Sequence, residues 1–581
     1  MSTAFSDPPA DPELAPSATA ADPPTVSRVV GLAGLFLAVA GGVTLVAKGY
    51  NTGLLPEGAG YLLALLGLLG MLVHAARDGD LEVRRLYGLF AAVLLVVGVV
   101  VGLLPGGTGA ARAYGHHLLP WGAGAGLVAL LFLIPFARHE ADEPYRSGVQ
   151  GLLLGVGGLL AIGTLVGGGL RPDFLVGPGL VLGLLGLGYL AAYLGTTDPN
   201  TGRGFRAAVG MATVGAVALA LGLGRSVVPT VLYDGPNALR TPLQTLDPWK
   251  VAARLVPILL GLGLVWVAVR RGTAPWLRGV LAVLGVTVAG VFVLGSVSSP
   301  LKDAPAPFLV PYGLLFTLLG LLYLGVALGT VSDAPFVVLL RRELAAYFTS
   351  PIAYIVLFGA AVVAFVGYLS FVGFLSRGGP MPEPVVQNYP SLQIFAVFQL
   401  MLLVPALTMR QFSEEKRSGT LEVLLTAPVD EPVVVLSKLL ATWLFFMLCW
   451  VPPALYLVGL RAGGGVPFDY RPLLSYYLAV GASGFAFVAF GLFCSSLTRN
   501  QVVAAVLTFA GMMAALASVF AQDLTVLGEG LRAAVGRFDF YRLWVNALTG
   551  QLPVQGVLVY LSLGVFWTFL TVKVLEARRW T

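Results

Sequence analysis

From Val29 to Val574 the chain returns repeatedly to apolar runs of roughly twenty residues, parted by short polar breaks. A helix advances 1.5 Å per residue, so about twenty apolar residues cross the ~30 Å hydrocarbon layer of a bilayer. Such runs lie at approximately 29–47, 59–76, 86–104, 118–136, 149–166, 175–194, 207–223, 251–269, 277–297 and 308–328. A second set lies at approximately 351–374, 392–408, 436–458, 473–497, 502–521 and 554–574. Hydrophobic residues make up 57% of the chain and charged ones only 11%, a balance that a water-soluble domain could carry only with large exposed apolar patches. The fold class is therefore an all-α polytopic membrane protein with about sixteen transmembrane helices, ten and then six.

Charge orients the spans. With the N-terminus in the cytoplasm, most Lys and Arg fall on the cytoplasmic face, residues 224–250 and 522–553 fall outside, and both ends are cytoplasmic. The net charge of +6 is thus read as basic residues anchoring helix ends against lipid, with no nucleic-acid role. Residues 1–27, rich in Pro, Ala, Ser and Asp, form a disordered cytoplasmic tail without the basic start and apolar core of a signal peptide. Cys449 and Cys494 both fall in apolar runs and read as buried free thiols.

The ten-helix region, 28–332, carries an internal echo. Leu185-Gly-Leu-Gly-Tyr-Leu-Ala-Ala-Tyr-Leu-Gly-Thr-Thr-Asp198 lies closely on Leu319-Gly-Leu-Leu-Tyr-Leu-Gly-Val-Ala-Leu-Gly-Thr-Val-Ser332, with weaker echoes at Leu65–Gly70 and Leu260–Leu264. A two-helix hairpin used about five times accounts for it. Glycines inside these spans, such as Gly155, Gly157, Gly158, Gly186 and Gly188, read as close helix packing rather than a conduction path.

A junction follows. In Asp333–Ser350, Val337, Leu340, Leu344 and Tyr347/Phe348 recur at helical spacing, with Arg341, Arg342 and Glu343 on the polar side. This pattern predicts an interfacial helix lying flat on the membrane, ended by a Ser350 N-cap and Pro351 at the start of the next span. A six-helix module thus begins near residue 333.

Within that module one stretch is too polar for lipid: Met409 to Pro428, with Glu414, Glu415, Lys416 and Arg417 in a row. A central Asp, Lys or Arg costs about 2.5–3.5 kcal/mol to insert, so this stretch belongs in water beside the membrane, within reach of a soluble partner. Thr420 is placed to cap a short helix, Leu421–Thr426, whose Leu421, Leu424 and Leu425 form an apolar edge beside Glu422.

Residues 337–581 resemble the membrane permease of ABC-2-type transporters, in particular the gliding-motility-associated branch and its relatives in copper maturation of nitrous-oxide reductase. The resemblance rests on Arg342-Glu-Leu, Tyr347-Phe-Thr-Ser-Pro-Ile-Ala-Tyr-Ile355, Pro405-Ala-Leu-Thr-Met-Arg410, Glu414-Glu-Lys-Arg-Ser-Gly-Thr-Leu-Glu422, Leu424-Leu-Thr-Ala-Pro428, Gly491–Gln501 and Phe569–Trp580. It implies a dimer of permeases, of the same or different chains, each bound to a separate cytoplasmic ATPase subunit that holds ATP and Mg. It also implies that the loop 409–435 docks on that ATPase, with Glu414, Glu415, Arg417, Gly419, Thr420, Leu421, Glu422 and Leu424 as interface residues. The first 330 residues resemble nothing named.

The chain holds no Gly-x-x-x-x-Gly-Lys-Ser/Thr motif and no Gly-Lys pair, so it cannot cradle a nucleotide in a P-loop. No span carries a charge near its centre, and no convergent nucleophile and base are evident; no catalytic, cofactor or metal residue is assigned. His74 and His139 lie at span ends, and His116-His117 lacks a third ligand for metal. The expected function is a permease subunit of an ABC transporter in the cytoplasmic membrane. The alternatives are a secondary carrier and a non-transporting membrane scaffold.

Overall fold

The computed structural model describes residues 24–49, 55–77, 80–103, 119–140, 142, 143–170, 174–175, 179–198, 202–227, 248–269, 275–297, 313–377, 384–422, 429–462, 471–521, 530, 536–551 and 554–578. Most of the expected tail, most of the 224–250 loop and His116-His117 lie outside the described residues. Every regular element among the described residues is helical. Contacts divide the chain into two units, one of Met1–Pro105, His117–Val166 and Pro178–Ala207, the other of Gly106–His116, Gly167–Gly177 and Ala208–Thr581.

In the first unit, α1 (Pro24–Gly49) packs on α2 (Glu57–Arg77) and α3 (Leu81–Leu103) on α4 (Leu119–His139). The first helix starts inside the stretch expected to be tail. Glycine lets these backbones touch: a Cβ on Gly34 would lie 2.7 Å from the Met71 nitrogen, and one on Gly67 would run into the Ala38 backbone. Next come α5 (Glu143–Leu170) and α6 (Leu180–Thr196), where Gly157 packs against Tyr189 and Leu190 while Gly155 and Gly158 face open space. Short connections are tied by ions: Arg85 pairs with Asp142 and with Glu140, and Arg84 donates to the His139 carbonyl. His74 is buried, 2.9 Å from the Tyr87 hydroxyl, rather than interfacial.

The second unit holds most of α7 (Gly202–Val227), then α8 (Pro248–Val269), α9 (Pro275–Val297) and α10 (Gly313–Val331). Here the expected series of hairpins breaks down. The α8 and α9 helices close on each other, with a Gly261 Cβ only 2.7 Å from the Ala289 nitrogen. The partner of α7 is instead α10: a Cβ on Gly215 would lie 2.8 Å from the Leu324 nitrogen, and one on Gly320 2.6 Å from the Leu219 nitrogen. One hairpin is therefore nested inside another pair. The echoing Leu-Gly steps are the contact points, since Gly67, Gly261 and Gly320 all sit against a neighbour's backbone. Tyr189 and Tyr323, equivalent in the best-matching echo, are both buried.

The rest of the second unit is α11 (Pro335–Thr349), α12 (Pro351–Leu375), two 3-10 turns at Val385–Asn388 and Pro390–Leu392, α13 (Ile394–Thr408), the short α14 (Ser413–Ser418), α15 (Glu431–Leu448), α16 (Val451–Ala462), α17 (Arg471–Leu497), α18 (Gln501–Ala521), α19 (Phe540–Leu548) and α20 (Val554–Arg578). Each of the expected spans falls on a helix, the third of the module on the α15–α16 pair. Among the described residues eleven helices are long and apolar enough to cross a membrane, and four further apolar helices are shorter. The chain is a multi-pass, all-α membrane protein.

The module is built around α17, 78% of whose apolar window is buried against 22% for α12 and α20. It packs on α13, α15, α18, α19 and α20. Tyr476, Val480 and Val488 of α17 are fully buried with Phe446, Trp450 and Trp544. Leu543 and Trp544 lie in this core, the Trp544 indole donating to Ser483 at 2.9 Å. The reason is local: Asp539 caps α19 through the Arg542 N–H, and the helix turns its Leu543–Trp544 face onto α17. Residues 522–529 and 531–535, which include Leu527, Leu531 and Val535, lie outside the described residues.

Candidate functional site

The polar stretch after α13 is bolted to the module. The Thr408 turn leads through Met409–Phe412 into α14, which stops at Gly419, in the left-handed region at φ 75°. Ser495, near the end of α17, accepts from the Phe412 and Ser413 backbone N–H groups at 3.1 and 3.2 Å and donates to the Met409 carbonyl at 3.1 Å. The Lys416 ammonium donates to the Ser496 carbonyl, and both Ser413 and Lys416 are buried. Arg410 grips Glu414 in a two-pronged bond at 2.7 and 2.9 Å.

A buried cation joins three elements. Lys438 of α15, with its side chain 2% exposed, places Nζ 2.7 Å from Glu415 of α14 and 3.1 Å from Glu343 of α11. Its charge also lies 5.7 Å from the centre of the Phe412 ring. Burial pushes the Glu343 carboxyl up, but the Lys438 charge, the bonds from Arg342 and Lys438 and the Arg342 charge together outweigh it, so the carboxyl titrates below its ordinary range. Beside this node, the Tyr347 hydroxyl meets Gln411 at 2.6 Å, Thr442 at 2.9 Å and the Leu407 carbonyl at 3.2 Å, and its ring stacks on Phe445. These links tie α11, the polar stretch and α15 together.

Several expectations change here. Glu343 turns inward to Lys438 instead of facing water with Arg341 and Arg342, because the buried ammonium draws it in beside Glu415. Arg341 caps α10, donating to the Thr330 and Ser332 carbonyls at 3.1 Å each, and Arg342 is exposed. The α11 helix does leave α10 at 101°, as a helix turning to lie along a surface must. Ser350 sits at its cap position without a side-chain cap bond.

A separate short helix, α14, precedes the expected one; after the break at Gly419, residues 420–422 are helical, and the rest of the expected helix lies outside the described residues. The Thr420 hydroxyl lies 2.9 Å from the Ser418 hydroxyl. Leu421 is buried in the module's own core, so it offers no edge to a partner. Leu424 and Leu425 lie outside the described residues. Of the expected interface, Arg417, Gly419, Thr420 and Glu422 are exposed, Glu414 and Glu415 half-buried. Sequence reasoning missed Lys438, Ser495 and Tyr347; the lone Lys in the otherwise apolar Val433–Leu448 run was the readable signal.

Residues 380–528, which span this stretch, match a family model described as ABC-2 family transporter protein. This segment is an ABC-2-type permease. The match takes in the Gln399-to-Gln501 region that carries α13, α14, α15 and α17, and does not distinguish the family's branches. No curated protein and no solved structure matches the chain. Permease segments of this family carry no nucleotide-binding domain, in keeping with the missing P-loop motif.

Proposed function

We propose that the chain is the membrane-spanning subunit of an ABC exporter in the cytoplasmic membrane, paired with a second permease and driven by a separate ATPase that docks on the exposed face of residues 414–422. The observation that supports this reading most is the combination of a solvent-facing strip and a rigid mount. Arg417, Gly419, Thr420 and Glu422 face outward. The same segment is tied by Glu415, Lys416 and Phe412 to α15, α11 and α17. A push on this strip therefore reaches the centre of the helix bundle without being absorbed by a loose loop. Burying a charged rim contact favours one partner and penalises others, which suits Arg417 and Glu422 to selecting a cognate ATPase.

The test is co-purification of a P-loop ATPase with the tagged full chain from native membranes, followed by its hydrolysis rate. Arg417→Glu with Glu422→Lys removes the ATPase or its stimulated hydrolysis while leaving membrane insertion intact. Retention of binding and of stimulated hydrolysis in that double variant, or no ATPase with the unaltered chain, overturns the reading. Glu414 and Glu415 make poor tests by charge reversal, since a Lys at 415 would face Lys438 inside the protein.

A further inference from the structure

The third span of the permease, Glu431–Leu457, is interrupted by a turn, and that turn is fitted with its own latches. The α15 helix ends at Leu448 and α16 starts at Val451, on opposite sides of Cys449-Trp450. Pro452 and Pro453 explain why: neither has an N–H to give to the carbonyl four residues back, and their rings crowd those carbonyls. The Cys449 carbonyl thus freed accepts from the Gln399 amide of α13 at 2.8 Å. The Trp450 carbonyl accepts from the Tyr477 hydroxyl at 2.7 Å, and the Pro453 carbonyl from Tyr389 at 3.3 Å. One helical bond lost to proline is thus replaced by Gln399, and two further polar side chains brace the carbonyls beside it, in a region where lipid could not.

The two arms are anchored to different bodies. On the α15 side, Lys438 and Thr442 belong to the node shared with α11 and α14. On the α16 side, Tyr456 donates to the Ala361 carbonyl of α12 at 3.1 Å and stacks on Tyr368. At the break itself, the Trp450 indole N–H and the Tyr476 hydroxyl are buried without a hydrogen-bond partner. A fixed kink has no use for orphaned donors, whereas a joint with a second setting can pair them there.

We infer that Cys449-Trp450 is a hinge, latched by Gln399, Tyr477 and Tyr389, about which α15 turns with the polar stretch while α16 stays on α12. This deepens the proposed function and rests on it for the source of the push, but the joint itself is read without any ATPase. Spin labels at Leu436 and Leu455, both exposed, lie roughly 28 Å apart along an ideal helix and report the angle between the arms by pulsed dipolar spectroscopy. A second pair at Val554 and Phe569, within the unbroken α20, serves as control. The two native thiols are buried and do not take label.

In the full chain in nanodiscs, Gln399→Leu or Tyr477→Phe adds a second distance to the 436–455 distribution and leaves the control pair unchanged. An unaltered 436–455 distribution means a fixed kink and overturns the hinge. Equal broadening of both pairs means general loosening and overturns it too. If neither variant can be purified, Tyr389→Phe, which removes only the latch hydroxyl on Pro453, decides: a second 436–455 distance supports the hinge, an unchanged distribution overturns it. Because no ATPase is present, failure here leaves the docking strip standing, and failure of docking leaves the hinge standing.

Discussion

Replacing Lys438 by Met tests the node that ties the polar stretch to the bundle. Methionine keeps the length of the side chain but leaves Glu415 without its cation and Glu343 with only the exposed Arg342. Breaking one side of a buried pair costs about 3–5 kcal/mol, because the remaining charge is stranded. The two carboxylates keep 11% and 22% side-chain exposure, so water screens part of the loss and the lower figure, about 3 kcal/mol, applies. That corresponds to a rise of roughly 150-fold in the unfolded fraction. The assay heats the detergent-solubilised chain stepwise and follows the monodisperse fraction by size-exclusion chromatography. Lys438→Met lowers the midpoint by several degrees, and adding Glu343→Gln with Glu415→Gln restores most of it, since neutral amides tolerate the site. A Lys438→Met midpoint equal to that of the unaltered chain, or a triple variant below the single one, would refute the reasoning.

Acid should loosen the same node. The Glu343 carboxyl titrates below its unfolded value, so the folded chain holds fewer protons there; its stabilisation is complete above the unfolded pKa and is lost as pH falls through the folded one. Thermal midpoints measured from pH 7 down through the carboxylate range should fall less steeply for Glu343→Gln. Gly67→Ala should sharply cut the yield of folded protein by driving a methyl into the Ala38 backbone, while Gly42→Ala, which meets open space, should leave it unchanged; size-exclusion profiles of both decide. Cysteines at Ser418 and Gln551, both exposed, should label from opposite faces of intact cells, and labelling of both from outside refutes the proposed orientation.

What could be read from the residues was whatever depends on one helix at a time. Apolar length marked the spans, and the spacing of Val337, Leu340 and Leu344 marked the α11 helix. What depends on partners was hidden. Glu343 sits on the polar side of its own helix by spacing, and only the position of Lys438, ninety-odd residues later, shows that it turns inward. Leu421 looked like a docking edge because nothing local says that its neighbours in the fold already cover it. Leu-Gly echoes revealed where helices touch but not which helices, since a glycine that admits a backbone admits any backbone. Gln399 carries no motif at all; its role follows from Pro453, whose effect is visible in the sequence, through a geometry that is not.

The nesting of α8 and α9 between α7 and α10 sets an order of events during synthesis. Gly215 emerges from the ribosome ~100 residues ahead of Gly320, the residue it must meet. At about 5–20 residues per second, α7 waits on the order of ten seconds in the bilayer with its glycine face uncovered, while the younger hairpin assembles first. The membrane-insertion machinery or a chaperone within the bilayer has to shield that face for the interval. A chain stalled before α10 is the form in which such a helper could be trapped.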